Sequence, residues 1–202
     1  MKLHWSPRSP FVRKVMIAAH ELGVADRIET VRTMVAMTRP NTELLVDNPI
    51  GKIPTLILDD GTAIYDSLTI CEYLDNLAAA PKLFPPPGPA RWSALTRHAL
   101  AHGLLDALIL WRNERDKPEA RQTPEWLAAF AVKTHATLDR FETTVPVPEA
   151  FGIAEITTGC ALSYMDFRFP DLDWRNGRNN LAAWHAGFEA RPSVLATKVV
   201  DA

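Results

Sequence analysis

Leu3-His4-Trp5-Ser6-Pro7-Arg8-Ser9-Pro10-Phe11-Val12-Arg13-Lys14-Val15 is the stretch whose reading decides the fold. An extended apolar start, Leu3-His4-Trp5, runs into polar residues, and from Pro10 onward apolar residues recur at helical spacing, so a strand passes directly into a helix. Proline is favoured at the first helical position because the N–H it lacks would have had no partner there. That puts Ser9 at the N-cap, beside the first-turn N–H groups. Such a junction attracts an anion, whether phosphate, carboxylate or thiolate. On its own it is also what a serine looks like when it does nothing but cap a helix.

Outward from this junction, Val12, Val15, Met16, Ala19 and Leu22 form an apolar helical face that Gly23 closes, and Ile28-Glu29-Thr30-Val31 reads as a second strand. Strand, helix, strand in one sheet implies a right-handed parallel crossover. Residues 32–47 are ambiguous, with a break at Arg39-Pro40-Asn41 and one helical turn at Thr42-Glu43-Leu44-Leu45. The next informative stretch is Asn48-Pro49-Ile50-Gly51-Lys52-Ile53-Pro54, a loop that leads into a buried strand over 55–58. Asp59-Asp60-Gly61 then turns the chain into Thr62-Ala63-Ile64-Tyr65, an antiparallel hairpin. Pro54 has no N–H to give the sheet, so a cis Ile53–Pro54 bond is expected, with the Ile53 backbone offered to a peptide-like ligand lying alongside as an extra strand. Asp66-Ser67 opens a second helix carrying Leu68, Ile70, Cys71, Tyr73, Leu74 and Leu77. One small unit thus supplies two helix N-termini and a free backbone edge. The ligand such a site suits has a carboxylate, a peptide backbone and a second anionic atom.

After a proline-rich linker the periodicity is helical throughout. The apolar positions are Leu95, Leu100, Leu104, Leu105, Leu108 and Ile109 over 91–115, then Trp126, Leu127, Phe130, Leu138 and Phe141 over 124–145. Further helices are expected over 153–169 and 181–190, the last closed by Arg191-Pro192. A net charge of −2 without a basic block gives no nucleic-acid surface. No apolar run approaches the ~20 residues of a membrane span, and Pro7, Arg8 and Pro10 interrupt any signal-peptide pattern, so a cytoplasmic protein is expected. Cys71 and Cys160 are the only cysteines and fall on apolar helical spacings, which implies packed thiols and neither a disulfide framework nor a metal site.

Ser9-Pro10-Phe11 with Arg13, Asn48-Pro49 with Gly51-Lys52-Ile53-Pro54, and Asp66-Ser67 stand in the order and at the separations of the glutathione S-transferase family, which the chain resembles over both halves. The continuation Phe11-Val12-Arg13-Lys14 and the stretch Ala161-Leu162-Ser163-Tyr164-Met165-Asp166-Phe167-Arg168 resemble its bacterial YibF-like branch. The resemblance implies an α/β plus all-α fold: a thioredoxin-like glutathione-binding domain over 1–78, a linker over 79–90 and an all-helical domain over 91–202 that forms the second-substrate site.

The resemblance also implies roles. Ser9 would donate its hydroxyl to the glutathione sulfur and favour the thiolate; Ser6, also followed by proline, is its rival. Ile53 would pair through its backbone with the cysteinyl part, Pro54 would shape that edge, and Lys52 would approach the glycyl carboxylate, although a lysine there is also an ordinary surface residue. Ser67 would hold the γ-glutamyl carboxylate and Asp66 the γ-glutamyl amino group, where the plainer reading of both is helix capping. Where the family's bundle helix opens with Ser or Thr and an Asp three residues on, this chain has Gly152 and Glu155, which keeps half of a capping box. His102 and Asp106, four apart, read as a surface or interface pair. The implied protein is a homodimeric cytoplasmic detoxification enzyme, with glutathione as co-substrate, no metal, and a small electrophile between the domains. Neither nucleic acid nor membrane is a partner. A glutathione-binding module without turnover and a glutathione-dependent isomerase or dehalogenase are the alternatives.

Overall fold

The computed structural model describes residues 1–80, 82–145 and 151–201, so that residue 81 of the expected linker and the terminal residue 202 lie outside the described residues. The chain divides into two compact units, Met1–Pro87 with Pro192–Ala202, and Gly88–Arg191.

The first unit runs β1 (Lys2–Trp5), α1 (Pro10–Glu21), β2 (Glu29–Arg32), α2 (Leu44–Asp47), β3 (Thr55–Ile57), β4 (Ala63–Ile64) and α3 (Ser67–Leu77). Its sheet has the order β2-β1-β3-β4. β1 lies parallel to β2, with Leu3 opposite Thr30, and antiparallel to β3, with Leu3 opposite Leu56 and His4 opposite Thr55; β4 closes the hairpin with Ile64 opposite Leu56. Leu3 and Leu56 are fully buried, as are Val15, Ile17, Ala18 and Ala19 of α1 and Ile70, Cys71 and Leu74 of α3. α1 and α3 pack against each other over this core. Gly23, at φ 67°, ends α1 in the left-handed conformation that a side chain would strain.

Two features go beyond the sequence reading. Arg13 and Lys14, of whose burial the motif says nothing, are 6% and 0% exposed. The helical half, expected to run through 202, gives up its last residues to the first unit. After the Arg191-Pro192 break the chain forms a short helix, α8 (Pro192–Leu195), which packs on α1: the Arg13 guanidinium donates to the Val194 carbonyl at 3.4 Å and the Ser193 hydroxyl to Glu21 at 2.5 Å. The burial of Arg13 therefore depends on a partner 181 residues away, which no local pattern announces.

The second unit is helical: α4 (Pro89–Arg115), α5 (Pro124–Thr143), α6 (Ile153–Arg168) and α7 (Asn179–Glu189). α6 is buried continuously from Ile153 to Met165 and packs chiefly on α4. The buried stripe of α4 is Ala94, His98, Ala101, Leu104, Leu105, Leu108 and Trp111, whereas Leu100 is 36% exposed and Leu95 and Ile109 are half-buried, contrary to the leucine-based expectation. Leu104, Leu105 and Leu108 are buried as expected, while Ala94, His98 and Ala101 take inner positions that a leucine-based reading passes over. On α5, Trp126 is likewise 56% exposed, set edge-on against Phe130. The Gly152 cap keeps the expected half-box, with its N–H donating to Glu155 at 3.0 Å, while the other carboxylate oxygen takes Arg97 at 2.6 Å. His102 and Asp106 form the expected loose pair at 3.7 Å. No helix among the described residues is long and apolar enough to cross a membrane.

Near the C-terminus of α6, Asp166 takes both Arg175 guanidinium nitrogens (2.6 and 2.7 Å) and the Trp174 indole N–H (2.8 Å). Burial alone would raise this carboxyl, but the hydrogen bonds from Arg175 and Trp174 and the positive charge of Arg175 outweigh it and hold it below its ordinary value. Asp166→Asn is therefore expected to lower the melting temperature at neutral pH. The wild-type advantage should be fully present above the unfolded carboxyl value of ~3.9 and vanish as pH falls through the lower folded value, as a melting series from neutral to acid pH will show. Gly159 permits a closer approach still: a Cβ there would lie 2.3 Å from the Phe188 ring. Gly159→Ala should cost about 1–3 kcal/mol or more through overpacking, read as a lower denaturant midpoint.

Candidate functional site

The registers of the sheet decide which residues meet. Because His4 stands opposite Thr55, the end of β1 and the start of β3 lie at the same end of the sheet; because Leu56 stands opposite Ile64, the end of β4 joins them. The three connections leaving that end carry Ser9, Lys52-Ile53-Pro54 and Asp66-Ser67. The sequence-predicted residues, scattered over nearly sixty positions, thus share one edge of one unit.

Ser9 is the N-cap of α1, in extended conformation, with Pro10 opening the helix. Its Oγ accepts from the Val12 N–H at 3.3 Å, which uses a lone pair and leaves the hydroxyl proton without an acceptor among the described residues. Ser6, the rival, has its Oγ against the Arg8 N–H at 3.4 Å and caps no helix. The Ile53–Pro54 bond is cis, as the sequence suggested, and so is Tyr65–Asp66. Neither the N–H nor the carbonyl of Ile53 has a hydrogen-bond partner among the described residues, so a backbone edge is left over beside β3. The Lys52 side chain is exposed, without an ion-pair partner among the described residues.

Asp66 is the N-cap of α3, where its Oδ1 accepts from the Leu68 N–H at 2.7 Å and from the Ser67 hydroxyl at 3.3 Å. The Asp66 side chain is exposed, whereas Ser67 is 2% exposed. The Ser67 N–H, at the first helical position, finds no acceptor among the described residues. The second helix mouth therefore presents a carboxylate and a backbone donor side by side.

One residue that positions this edge escaped the sequence reading. Asn48, taken as part of a loop signal, is 1% exposed and acts as a brace: its amide donates to the Lys52 carbonyl (3.1 Å) and the Thr55 hydroxyl (2.9 Å), and its Oδ1 accepts from the Ile50 N–H (3.2 Å). Thr55, fully buried, also donates to the Lys52 carbonyl at 2.9 Å. These bonds tie the Lys52-Ile53-Pro54 loop to the first residue of β3. The only available signal was an Asn before Pro in a loop that reaches a buried strand. Among the described residues, no group of three or more His, Cys, Asp or Glu side chains is gathered to hold a metal ion.

Residues 8–77 match the family model of the glutathione S-transferase N-terminal domain, and residues 124–187 match that of the glutathione S-transferase C-terminal domain. The chain belongs to the glutathione S-transferase family. A glutathione transferase family member from Pseudomonas fluorescens Pf-5, solved with bound glutathione, is 40% identical, with a TM-score of 0.93 over 98% of each chain. A structure of a family member from the same organism with bound S-(propanoic acid)-glutathione is 38% identical, with a TM-score of 0.91 over 99% of this chain and 100% of that one. The uncharacterized GST-like protein YibF of Escherichia coli (strain K12) is 28% identical over 98% of both chains. The expected glutathione S-transferase fold is therefore the observed one: a small mixed four-stranded sheet with helices, followed by a helical unit.

The brace beside Ile53 is directly testable. Asn48→Ala removes three hydrogen bonds at a buried position, leaving the Ile50 N–H without its acceptor and the Lys52 carbonyl with Thr55 alone, which should cost about 1–3 kcal/mol of stability. Denaturant unfolding measures that loss.

Proposed function

We propose that this glutathione S-transferase binds glutathione at the shared sheet edge, holds its sulfur as the thiolate with Ser9, and conjugates it to an electrophilic small molecule. The observation that carries the reading is the unused hydroxyl proton of Ser9 at a helix N-terminus, on the same sheet edge as the unpaired Ile53 backbone. Glutathione is a peptide with two carboxylates, an amino group and a thiol, and each group meets a complement there. The Ile53 N–H and carbonyl pair with the cysteinyl backbone in the manner of an added strand, beside Pro54. The Ser67 N–H and the α3 N-terminus take the γ-glutamyl carboxylate, Asp66 takes the amino group, and Lys52 reaches the glycyl carboxylate. Because the Ser67 hydroxyl is spent on Asp66, the backbone N–H rather than the side chain is its means of contact.

Ionisation and orientation of the sulfur carry the rate. A free thiol titrates near ~8.5, and each unit of depression corresponds to ~1.4 kcal/mol of preference for the thiolate. One hydroxyl hydrogen bond and one helix terminus together supply about one to two such units. The sulfur then attacks the electrophile, its proton already passed to solvent. A cytoplasmic homodimer serving detoxification belongs to the same reading.

The test is a pH titration of the ultraviolet thiolate absorbance of glutathione bound to wild type and to Ser9→Ala. Wild type should show thiolate at neutral pH, and Ser9→Ala should still bind glutathione while its thiol returns about one unit toward the free value. An unshifted thiol on wild type would make the site a holder of glutathione and end the transferase reading.

A further inference from the structure

A cleft of about 190 Å³ opens inside the first unit between the end of β1, α1 and the returning C-terminal residues, with Trp5, Ser9, Arg13, Met16, His20 and Lys198 in its wall. Its ionisable side chains share one character. Arg13, His20 and Lys198 are all basic, and none of the eleven lining residues is Asp or Glu. Arg13 is 6% exposed and anchored by its bond to the Val194 carbonyl, so one cation is fixed at depth. His20 and Lys198 are exposed at the rim, with no ion-pair partner among the described residues. Nearby, Glu21 accepts from the Ser193 hydroxyl, and Asp201 pairs with Arg8 at 3.1 Å. Trp5 and Met16 supply apolar wall between the cations.

A fixed buried guanidinium, the exposed Lys198 ammonium, the exposed His20 imidazole and an aromatic wall complement an anion with an apolar body. Since Ser9 lines the same cleft, whatever occupies it lies next to the hydroxyl assigned to the sulfur. We propose that this cleft selects the electrophile: the co-substrate is a small organic acid, its carboxylate held by Arg13, His20 and Lys198 and its apolar body laid against Trp5 and Met16. The inference rests on the transferase reading for its chemistry. With an aryl chloride bearing a carboxylate, the sulfur–carbon bond forms, the carbon–chlorine bond breaks, chloride leaves with the electron pair, and the thiol proton goes to solvent.

The experiment is calorimetric titration of 3-nitrobenzoate and of neutral 3-nitrobenzamide into the full chain, with and without saturating glutathione, for wild type, His20→Gln and Lys198→Gln. Both substitutions are at exposed positions and should fold normally. In wild type the acid should bind about tenfold more tightly than the amide, and should do so with glutathione already bound. Each substitution should weaken the acid about two- to fivefold and shrink the acid-to-amide ratio, the scale of a partly exposed charge pair. Turnover of 4-chloro-3-nitrobenzoate against 4-chloro-3-nitrobenzamide should show the same narrowing in kcat/KM. Equal binding of acid and amide, or an acid affinity untouched by both substitutions, overturns the proposal. Displacement of the acid by glutathione also overturns it, because the cleft would then belong to glutathione itself. Acid binding by a protein that fails to bind glutathione supports the cleft and sinks the transferase reading, so the two fail separately.

Discussion

The antiparallel pairing of β1 with β3 is the constraint on which the site depends. Leu3 and Leu56 face each other across it and are both fully buried, each contributing roughly 1.5–3 kcal/mol by leaving water. A slip of one residue would turn both leucines, and every alternate neighbour, to the opposite face of the sheet, so the register is held by the core rather than by the site. The site inherits it. Ser9 sits four residues past the end of β1 and Ile53 two before β3, and with the register fixed their approach needs no contact of their own. β4, paired one strand further on, brings the mouth of α3 to the same edge by the same logic.

The sheet alone leaves the loops free to wander, and two polar clasps limit them. Asn48 and Thr55 tie the carbonyl of Lys52 to the base of β3. On the other side, His4 of β1 bridges Thr33 (2.8 Å) and Asp47 (2.9 Å), so the residue after β2 and the last residue of α2 are anchored to the strand that leads to Ser9. Both clasps are partly or wholly buried, where an unsatisfied partner costs more than the bond itself contributes. The backbone left unpaired at Ile53 is thus bordered by backbone that is thoroughly paired, which keeps the free edge in place without covering it.

What the sequence revealed and what it concealed follow from the range of the forces involved. The Ser9-Pro10 junction, the Asp59-Asp60-Gly61 turn, the proline at 54 and the Asp66-Ser67 helix start are settled by bonding within a few residues, and the structure has each of them where the local chemistry put it. Burial of Arg13 was invisible because its partner lies in α8, nearly the whole chain away. The inner face of α4 was misjudged for a related reason. Leucines mark an apolar face against solvent, but on a helix packed against one as deeply buried as α6 the buried stripe also includes Ala94, His98 and Ala101, which a leucine pattern does not mark. Asn48 was legible as a loop residue and illegible as a brace, since its three partners are identified only once the loop has closed.

Ser9 shows why a capping residue can serve chemistry at no cost to the fold. The good caps are Ser, Thr, Asn and Asp, and all of them accept from the first-turn N–H. An aspartate would cap at least as well, but its charge would repel a thiolate. A hydroxyl is different: it accepts with a lone pair and keeps its proton, as Ser9 does toward Val12. In the proposed complex the helix end and the hydroxyl would act on the glutathione sulfur with the same sign, one through partial positive charge and the other through a donated hydrogen bond. Replacing the serine by a residue that neither accepts nor donates removes the structural bond and the chemical one together, yet leaves the N-terminus of α1 itself in place. The helix-end field and the hydroxyl can therefore be separated, and the share that survives in such a variant belongs to the backbone.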